Sequence, residues 1–399
     1  MSTWRLLVAY LRSRPLMTLL TAVLIALATA TMSVVTQVTS QFEHRLEQDA
    51  AGIDLVVGPK GSPLQLALAA VYHADVPPGN IPARALADLA ADRMVAQAIP
   101  IALGDSFRGY RIVGTTPQYP ANYNASVAIG RMFAQPMEAV LGARVAAATG
   151  VAIGGNFVGT HGLREGGPTH GDDVYRVVGV LAPTGTVIDR LVLTPVESVW
   201  LVHEGEPADD EERRLLEAER ELSAILLRYA SPLAAATLPR RINASTNLQA
   251  ASPATEAARL FHLIGIGADA VRAFGVLLVV AAALSVFVAL FQALADRRYE
   301  LALMRMLGAS PRRLFALLVL EGTLLTAAGV AAGLLAGHLT LSVLGAWFVP
   351  GGEFDLGGWR FDTIELQYAG VILLLGALAA VVPALLAART PISVVLAEQ

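Results

Sequence analysis

Four stretches of this chain are apolar for longer than a buried strand or an ordinary core helix requires. Leu16–Val38, Phe274–Ala295 and Tyr368–Ala388 carry no charged residue, and Leu314–Val349 is interrupted by Glu321 and His338 alone. A bilayer core takes roughly 20 apolar residues of helix. The pattern therefore predicts four spanning helices, at 16–38, 271–295, 314–349 and 367–388. Read as a signal peptide, the first run exceeds the usual h-region of about 7–15 residues, and no convincing cleavage site follows it.

Between the first two spans the period changes. Ile53–Val57 is strand-like, Gly58–Gly61 is a turn, and Leu64–Val71 reads as an apolar helix. Residues 83–95 read as a helix. Short alternating runs separated by Gly, Pro and Asn mark strands over 96–114 and again over 139–204, including Tyr175–Leu181, Arg190–Thr194 and Val199–Val202. Residues 207–223 are dense in Asp, Glu and Arg and predict a solvated helix with apolar last turns, with a further strand near 224–230. From Ala254 a helical pattern runs without a breaker into the second span.

Charge orients the four spans. Residues 1–15, an amphipathic lead-in, hold Arg5, Arg12 and Arg14 and no acid, and the 296–313 loop carries Arg297, Arg298, Arg305, Arg312 and Arg313 against Asp296 and Glu300. The 350–366 loop reverses the balance, with Arg360 against Glu353, Asp355, Asp362 and Glu365. The positive-inside rule places both termini in the cytoplasm and residues 39–270 outside. Composition agrees: hydrophobic residues make up 55% of the 399, and there is no cysteine for a disulfide or a thiolate metal site. A net charge of −4 with no basic stripe gives no reason to expect nucleic acid.

The 297–313 segment carries the functional signal. Its middle is helical in propensity and studded with Leu301, Leu303, Met304, Met306 and Leu307, more apolar content than a plain charged connector needs. Gly308 can end that helix, and Pro311 stops its immediate continuation. Such a piece can dock on a soluble cytoplasmic partner. The chain lacks an engine of its own, because a phosphate loop requires Gly before its Lys. Lys60, the single lysine, instead follows Pro59, which has no amide to donate.

Other candidates carry weaker signals. Gly329, Gly333 and Gly337 repeat every four residues on one helix face, a spacing that lets helix backbones approach. The neighbour is either a second copy or another span of the same chain. Glu321, an intramembrane carboxylate, is expected to pair with Arg312 or Arg313. His161, His170, Asp172 and Asp173 share a Gly-rich hairpin and are metal-ligand types at no standard zinc spacing; His73 and Asp75 form a further pair. No G-x-S-x-G elbow or H-E-x-x-H helix is present, so neither an enzyme nor a cofactor is called for.

The layout resembles the permease family of ABC transporters typified by MacB and FtsX. Leu11–Leu20 is similar to the family's arginine-flanked entry to the first span. Arg298–Ser310 resembles its cytoplasmic loop: arginine, glutamate, an apolar run, a basic residue and Gly-Ala-Ser. Val178–Thr186 resembles a strand and turn of the external core domain, and Asp54–Leu66 looks like one subgroup. The tail Arg389–Leu396 is similar to the family's arginine and D-P-x-x-x-L ending, with Thr390 where Asp is common.

The resemblance implies an α+β membrane protein with a two-lobed external domain over 39–270, an FtsX-like permease domain over 271–399 and a tail at 389–399. It implies a dimer of four-span subunits in the inner membrane, in contact with its lipid and bound to a separate cytoplasmic ABC ATPase. By position, the coupling role falls on Glu300, Arg305, Met306, Leu307, Gly308 and Ala309. The expected activity is ATP-driven movement of the periplasmic domain, serving efflux through an adaptor, lipoprotein release or related transport. The alternatives are a scaffold that regulates a periplasmic hydrolase, and a metal-binding membrane receptor.

Overall fold

A computed structural model describes residues 14–162, 169–204, 210–348 and 357–389. The amphipathic lead-in and the tail beyond Arg389 lie outside the described residues, as do the acids Glu353 and Asp355. The chain divides into two compact units, Glu43–Leu263 and Met1–Phe42 with Ile264–Gln399.

In the Glu43–Leu263 unit, helix α1 (Pro15–Asp49) ends and β1 (Leu55–Pro59) begins a mixed sheet. Its remaining elements are α2 (Pro63–Ala70), β2 (Ile81–Pro82), α3 (Arg84–Ala90), β3 (Val95–Phe107), β4 (Tyr110–Thr115), α4 (Gln118–Asn122), β5 (Val127–Gly130), β6 (Glu138–Leu141) and α5 (Ala143–Thr149). Then come β7 (Asn156–His161), β8 (Thr169–Leu181), β9 (Leu191–Pro195), α6 (Val196–Glu204), α7 (Asp210–Glu219), β10 (Glu221–Leu222), β11 (Ala224–Tyr229), α8 (Pro232–Ser245) and β12 (Leu248–Ala251). The strand order is β12-β1-β11-β3-β4-β9-β6-β8-β5, with β7 beside β3 and β8, and a separate pair β10-β2. The pairs β4–β9 and β6–β8 are parallel.

Strands covered on both faces read as unbroken apolar runs. Leu55, Val56 and Val57 in β1, and every residue of β9, are buried. The unit has two cores. One gathers Leu55, Ile81, Leu89, Ile225, Leu238 and Ile242; the other gathers Phe107, Ile112, Leu141, Phe157, Tyr175 and Val192. Strand β3 belongs to both, through Ala102 and Phe107, and α6 does too, through Val199 and Val202. Two lobes are therefore built on one shared strand and one shared helix.

The structure corrects two local expectations. Val199–Val202 is not a strand: Val196, Val199 and Val202 are buried three residues apart, the spacing of a helix face, and they pack as the inner side of α6. The charged helix ends at Glu219, and Leu222 lies in β10 instead of continuing it. The strand expected near 224–230 is β11, antiparallel between β1 and β3.

Among the described residues, four helices are long and apolar enough to cross a membrane, and the second unit holds all or most of each: α1, α9 (Pro253–Asp296), α11 (Pro311–Trp347 by that measure, helical to Phe348) and α12 (Thr363–Arg389). The short α10 (Arg298–Met306) lies between α9 and α11. Ile25, Val286, Leu290, Val330, Ile372 and Ala380 form an inner cluster, while Leu19, Leu277, Leu335 and Leu374 face outward. Helices α1 and α9 each continue unbroken past the residues that divide the two units.

Candidate coupling site

Helix α10 has two faces. Leu301 and Ala302 are buried, and Leu301 joins Leu294, Leu314, Leu318, Ala384 and Ala387 in a cluster drawn from α9, α11 and α12. The opposite face leaves Leu303 exposed and carries Met306 at 53% and Leu307 at 81% exposure, with Tyr299 and Glu300 also exposed. An apolar ridge held up by a packed underside differs from scattered surface leucines.

The end of α10 is a defined stop. Ala309 N donates to Met304 O at 2.9 Å and Gly308 N to Arg305 O at 3.1 Å, the two bonds of a Schellman motif. That motif needs a left-handed residue, and Gly308 supplies it with φ +96°. Ser310 then caps α11, its Oγ accepting from Arg313 N at 3.3 Å, and Pro311 takes the first helical position, where its missing amide costs little. Leu307 sits at this reversal, between the two helices.

Beneath the ridge, Arg297 Nη1 donates to Glu321 Oε1 at 3.3 Å, both side chains almost fully buried. The partner of Glu321 is thus Arg297 at the end of α9, not Arg312 or Arg313. Arg312 and Arg313 are exposed at the start of α11, whereas Arg297, the N-cap residue of α10, is buried.

The glycine face of α11 lies against α1 of the same chain. A Cβ on Gly329 would meet Ile25 Cβ at 2.7 Å, one on Gly333 would meet Ala26 O at 2.5 Å, and one on Gly337 would meet Ser33 Cβ at 2.8 Å. Farther along the same helices is a buried polar cluster. His338 and Glu365, each 1% exposed, approach at 3.4 Å, Ser33 donates to Glu365, and His338 Nδ1 contacts Gly358 O at 2.6 Å. Glu365, one of the acids of the 350–366 stretch, lies in the first turn of α12, where its Oε2 also accepts from Asp362 N at 3.4 Å. Its role as reciprocal helix cap explains its position in the turn.

Two family descriptions match this chain: the MacB-like periplasmic core domain over residues 16–245 and the FtsX-like permease C-terminal over 272–395. The chain belongs to the MacB/FtsX-like permeases of ABC transporters. Among solved structures, the periplasmic region of MacB from Actinobacillus actinomycetemcomitans aligns at 13% identity and TM-score 0.35, over 53% of this chain and 95% of that one. The extracellular domain of the noncanonic ABC-type transporter YknZ from Gram-positive bacteria aligns at 15% and 0.30, over 50% and 98%. A search of curated proteins finds no match. Permeases of this family work with a cytoplasmic ABC ATPase, so this is a multi-pass membrane permease with a MacB-like periplasmic domain.

The permease's external unit has a buried polar network where α1 ends. Asp49 accepts from Arg190 Nη2 at 3.2 Å and lies 3.3 Å from Arg45 Nε, while Tyr123 donates to Asp49 O at 2.7 Å. Arg190 also donates to Tyr72 O at 3.1 Å, and Tyr72 donates to Pro253 O at the start of α9 at 3.4 Å. Burial pushes the Tyr72 hydroxyl up to about 12. His73, beside Tyr119 at 2.8 Å, is held well below its usual pKa by burial and by Arg111 and Arg190. The network ties the last turn of α1 and the first turn of α9 into the external unit. Asp75, read with His73 as a pair, is half-buried and instead accepts from Val76 N at 2.7 Å.

Of the hairpin residues, His161 ends β7 and pairs with Asp105, and Asp173 lies on β8 outside that pair. The side chains of His170 and Asp172 lie outside the described residues. Sequence reading missed Arg297, Asp49, Arg190, Asp105 and His203. Asp49 has a local partner in Arg45 one helical turn earlier, but the contacts of Asp49 with Arg190, of Arg297 with Glu321 and of Asp105 with His161 and His203 join distant parts of the chain, and no local spacing marks them.

Proposed function

We propose that this chain is the permease subunit that turns ATP hydrolysis by a separate cytoplasmic ABC ATPase into movement of its periplasmic domain. The observation that carries the reading is α10, whose underside is packed on three spanning helices while Met306 and Leu307 stand exposed beside a glycine stop. Glu300, Arg305, Met306, Leu307, Gly308 and Ala309 form the docking surface for the ATPase. A push on α10 is passed to the ends of α9, α11 and α12 through Leu294, Leu314 and Ala387. The unbroken helices α1 and α9 deliver it to the periplasmic domain, where Asp49, Arg190 and Tyr72 fasten both.

Both termini are cytoplasmic, the location is the inner membrane, and the working form is a homodimer with two ATPase copies. Such a stroke serves efflux through a periplasmic adaptor or lipoprotein release. Proteins that copurify from membranes identify the cargo.

The test is reconstitution of the permease with its ATPase in lipid nanodiscs. The wild-type chain is expected to bind the ATPase and stimulate its turnover. Gly308→Pro removes the amide that donates to Arg305 and cannot adopt φ +96°. Unchanged stimulation by that variant overturns the coupling reading.

A further inference from the structure

Strand β7 ends at His161, whose register partner across the sheet is Asp105 of β3. The pair is in contact, with His161 Nδ1 2.9 Å from Asp105 Oδ1. A second imidazole reaches the same place from a different element. His203 stands in the last turn of α6, its ring 5.3 Å from that of His161 and tilted by 37°. One ligand-type atom from each of Asp105, His161 and His203 lies within 4.8 Å of the others.

The tautomer of His203 is fixed by its surroundings. Its Nδ1 lies 2.7 Å from Val199 O, one helical turn earlier. A carbonyl can only accept, so Nδ1 carries the proton and Nε2 presents its lone pair. A backbone carbonyl behind the distal nitrogen is the usual outer-shell support of a metal-binding histidine. Nε2 is turned toward β3 just before Asp105, over Gly104, where a Cβ would come within 3.5 Å of it.

Two imidazole nitrogens and one carboxylate oxygen form a donor set for zinc or a neighbouring divalent transition metal. Calcium and magnesium prefer oxygen alone. Tetrahedral zinc with bonds of about 2.0–2.1 Å spaces its ligand atoms roughly 3.3 Å apart. Both histidines are exposed, so small rotations of their rings close the remaining gap. Asp105 is buried, which places the anionic ligand where its charge is least screened.

The geometry points to a divalent zinc-class metal site formed by Asp105, His161 and His203 in the periplasmic domain. Asp105 on β3 and His203 on α6 flank Phe107 and Val202 of the second core, and β7, which carries His161, supplies Phe157 to the same core, so a bound ion would fasten three elements of that lobe. Neither Asp105 nor His203 belongs to the hairpin cluster that sequence alone suggested.

The test uses the full-length chain in detergent, stripped of metal by a chelator and titrated calorimetrically with zinc chloride. Metal content is then measured after gel filtration. Wild type is expected to bind one Zn²⁺ per chain. His161→Ala and His203→Ala, both at exposed positions, are expected to weaken binding by at least about tenfold, and His262→Ala is expected to leave it unchanged. Cobalt provides a second readout: with no cysteine in the chain, its visible d–d bands report nitrogen and oxygen ligands alone and should vanish in both variants. Asp105→Asn is scored only alongside its apo melting midpoint. Failure of the wild-type chain to bind zinc stoichiometrically overturns the site, as does undiminished binding by both histidine variants.

Discussion

Replacing Met306 and Leu307 together by alanine is expected to weaken binding of the ATPase without disturbing the permease. Burying a Leu or Met side chain contributes about 1.5–3 kcal/mol. Scaled by present exposures of 81% for Leu307 and 53% for Met306, the docked state gains at most about 1.2–2.4 and 0.8–1.6 kcal/mol from them. Alanine keeps the Cβ, so the double variant loses roughly 2–3 kcal/mol, or about 30–150-fold in Kd. Both side chains are exposed and the Schellman bonds beside them run between backbone atoms, so truncating them should change stability by no more than about 0.5 kcal/mol and the melting midpoint should hold. The assay is a titration of nanodisc-embedded permease with labelled ATPase, with Leu339→Ala, exposed on α11, as the control. A double variant that binds within threefold of wild type refutes the claim that this ridge is the docking surface.

Three further outcomes follow from the packing and the buried charges. Gly333→Ala puts a methyl 2.5 Å from Ala26 O and 2.6 Å from Thr29 Cβ; overpacking of this kind costs about 1–3 kcal/mol. It is expected to lower the thermal midpoint in detergent, and an unchanged midpoint would show that α1 and α11 are not in close contact. Glu321→Leu removes the buried carboxylate of Arg297 at a cost of about 3–5 kcal/mol, whereas Arg297→Met with Glu321→Leu is expected to recover most of it in the same melt. His73 is buried neutral with a depressed pKa. The unfolded chain protonates below about pH 6.5 while the folded one does not, so stability is complete above that pH and falls by up to about 1.4 kcal/mol per unit below it. Comparing midpoints at pH 7.5 and 5.5 checks this. His73→Asn, which tolerates the φ of +52°, should show a shallower loss.

The parts of this permease governed by local rules could be read directly from the chain. The four spans, the stop at Gly308, the helix entering the second span and strands such as Tyr175–Leu181 follow from periodicity, capping and charge. Helix α8 was not anticipated, because Pro239 in its interior removes an amide and breaks the expected pattern. Val199–Val202 misled because β-branched residues at helical spacing look like a strand in a short window. Pairings across the fold were invisible for a different reason. The meeting of Arg297 with Glu321, or of Asp105 with His203, depends on which elements become neighbours, and no spacing within one element records that. In the candidate coupling site the exposed ridge could be anticipated, whereas its buried support could not.

Strand β1 lies between β11 and β12, so the residues that begin the periplasmic domain are held by the residues that end it. During synthesis β1 emerges early and waits for partners about 170–195 positions later in the sequence. At about 5–20 residues per second the delay is roughly 10–40 s. Throughout that interval Val56 and Val57 have unpaired backbone on both edges, a template for pairing with the wrong chain. The first lobe therefore closes only as α9 is being made, and the order of events at the translocon becomes a requirement for correct assembly. Periplasmic holding factors are expected to matter most in this window, before residue 251 has crossed.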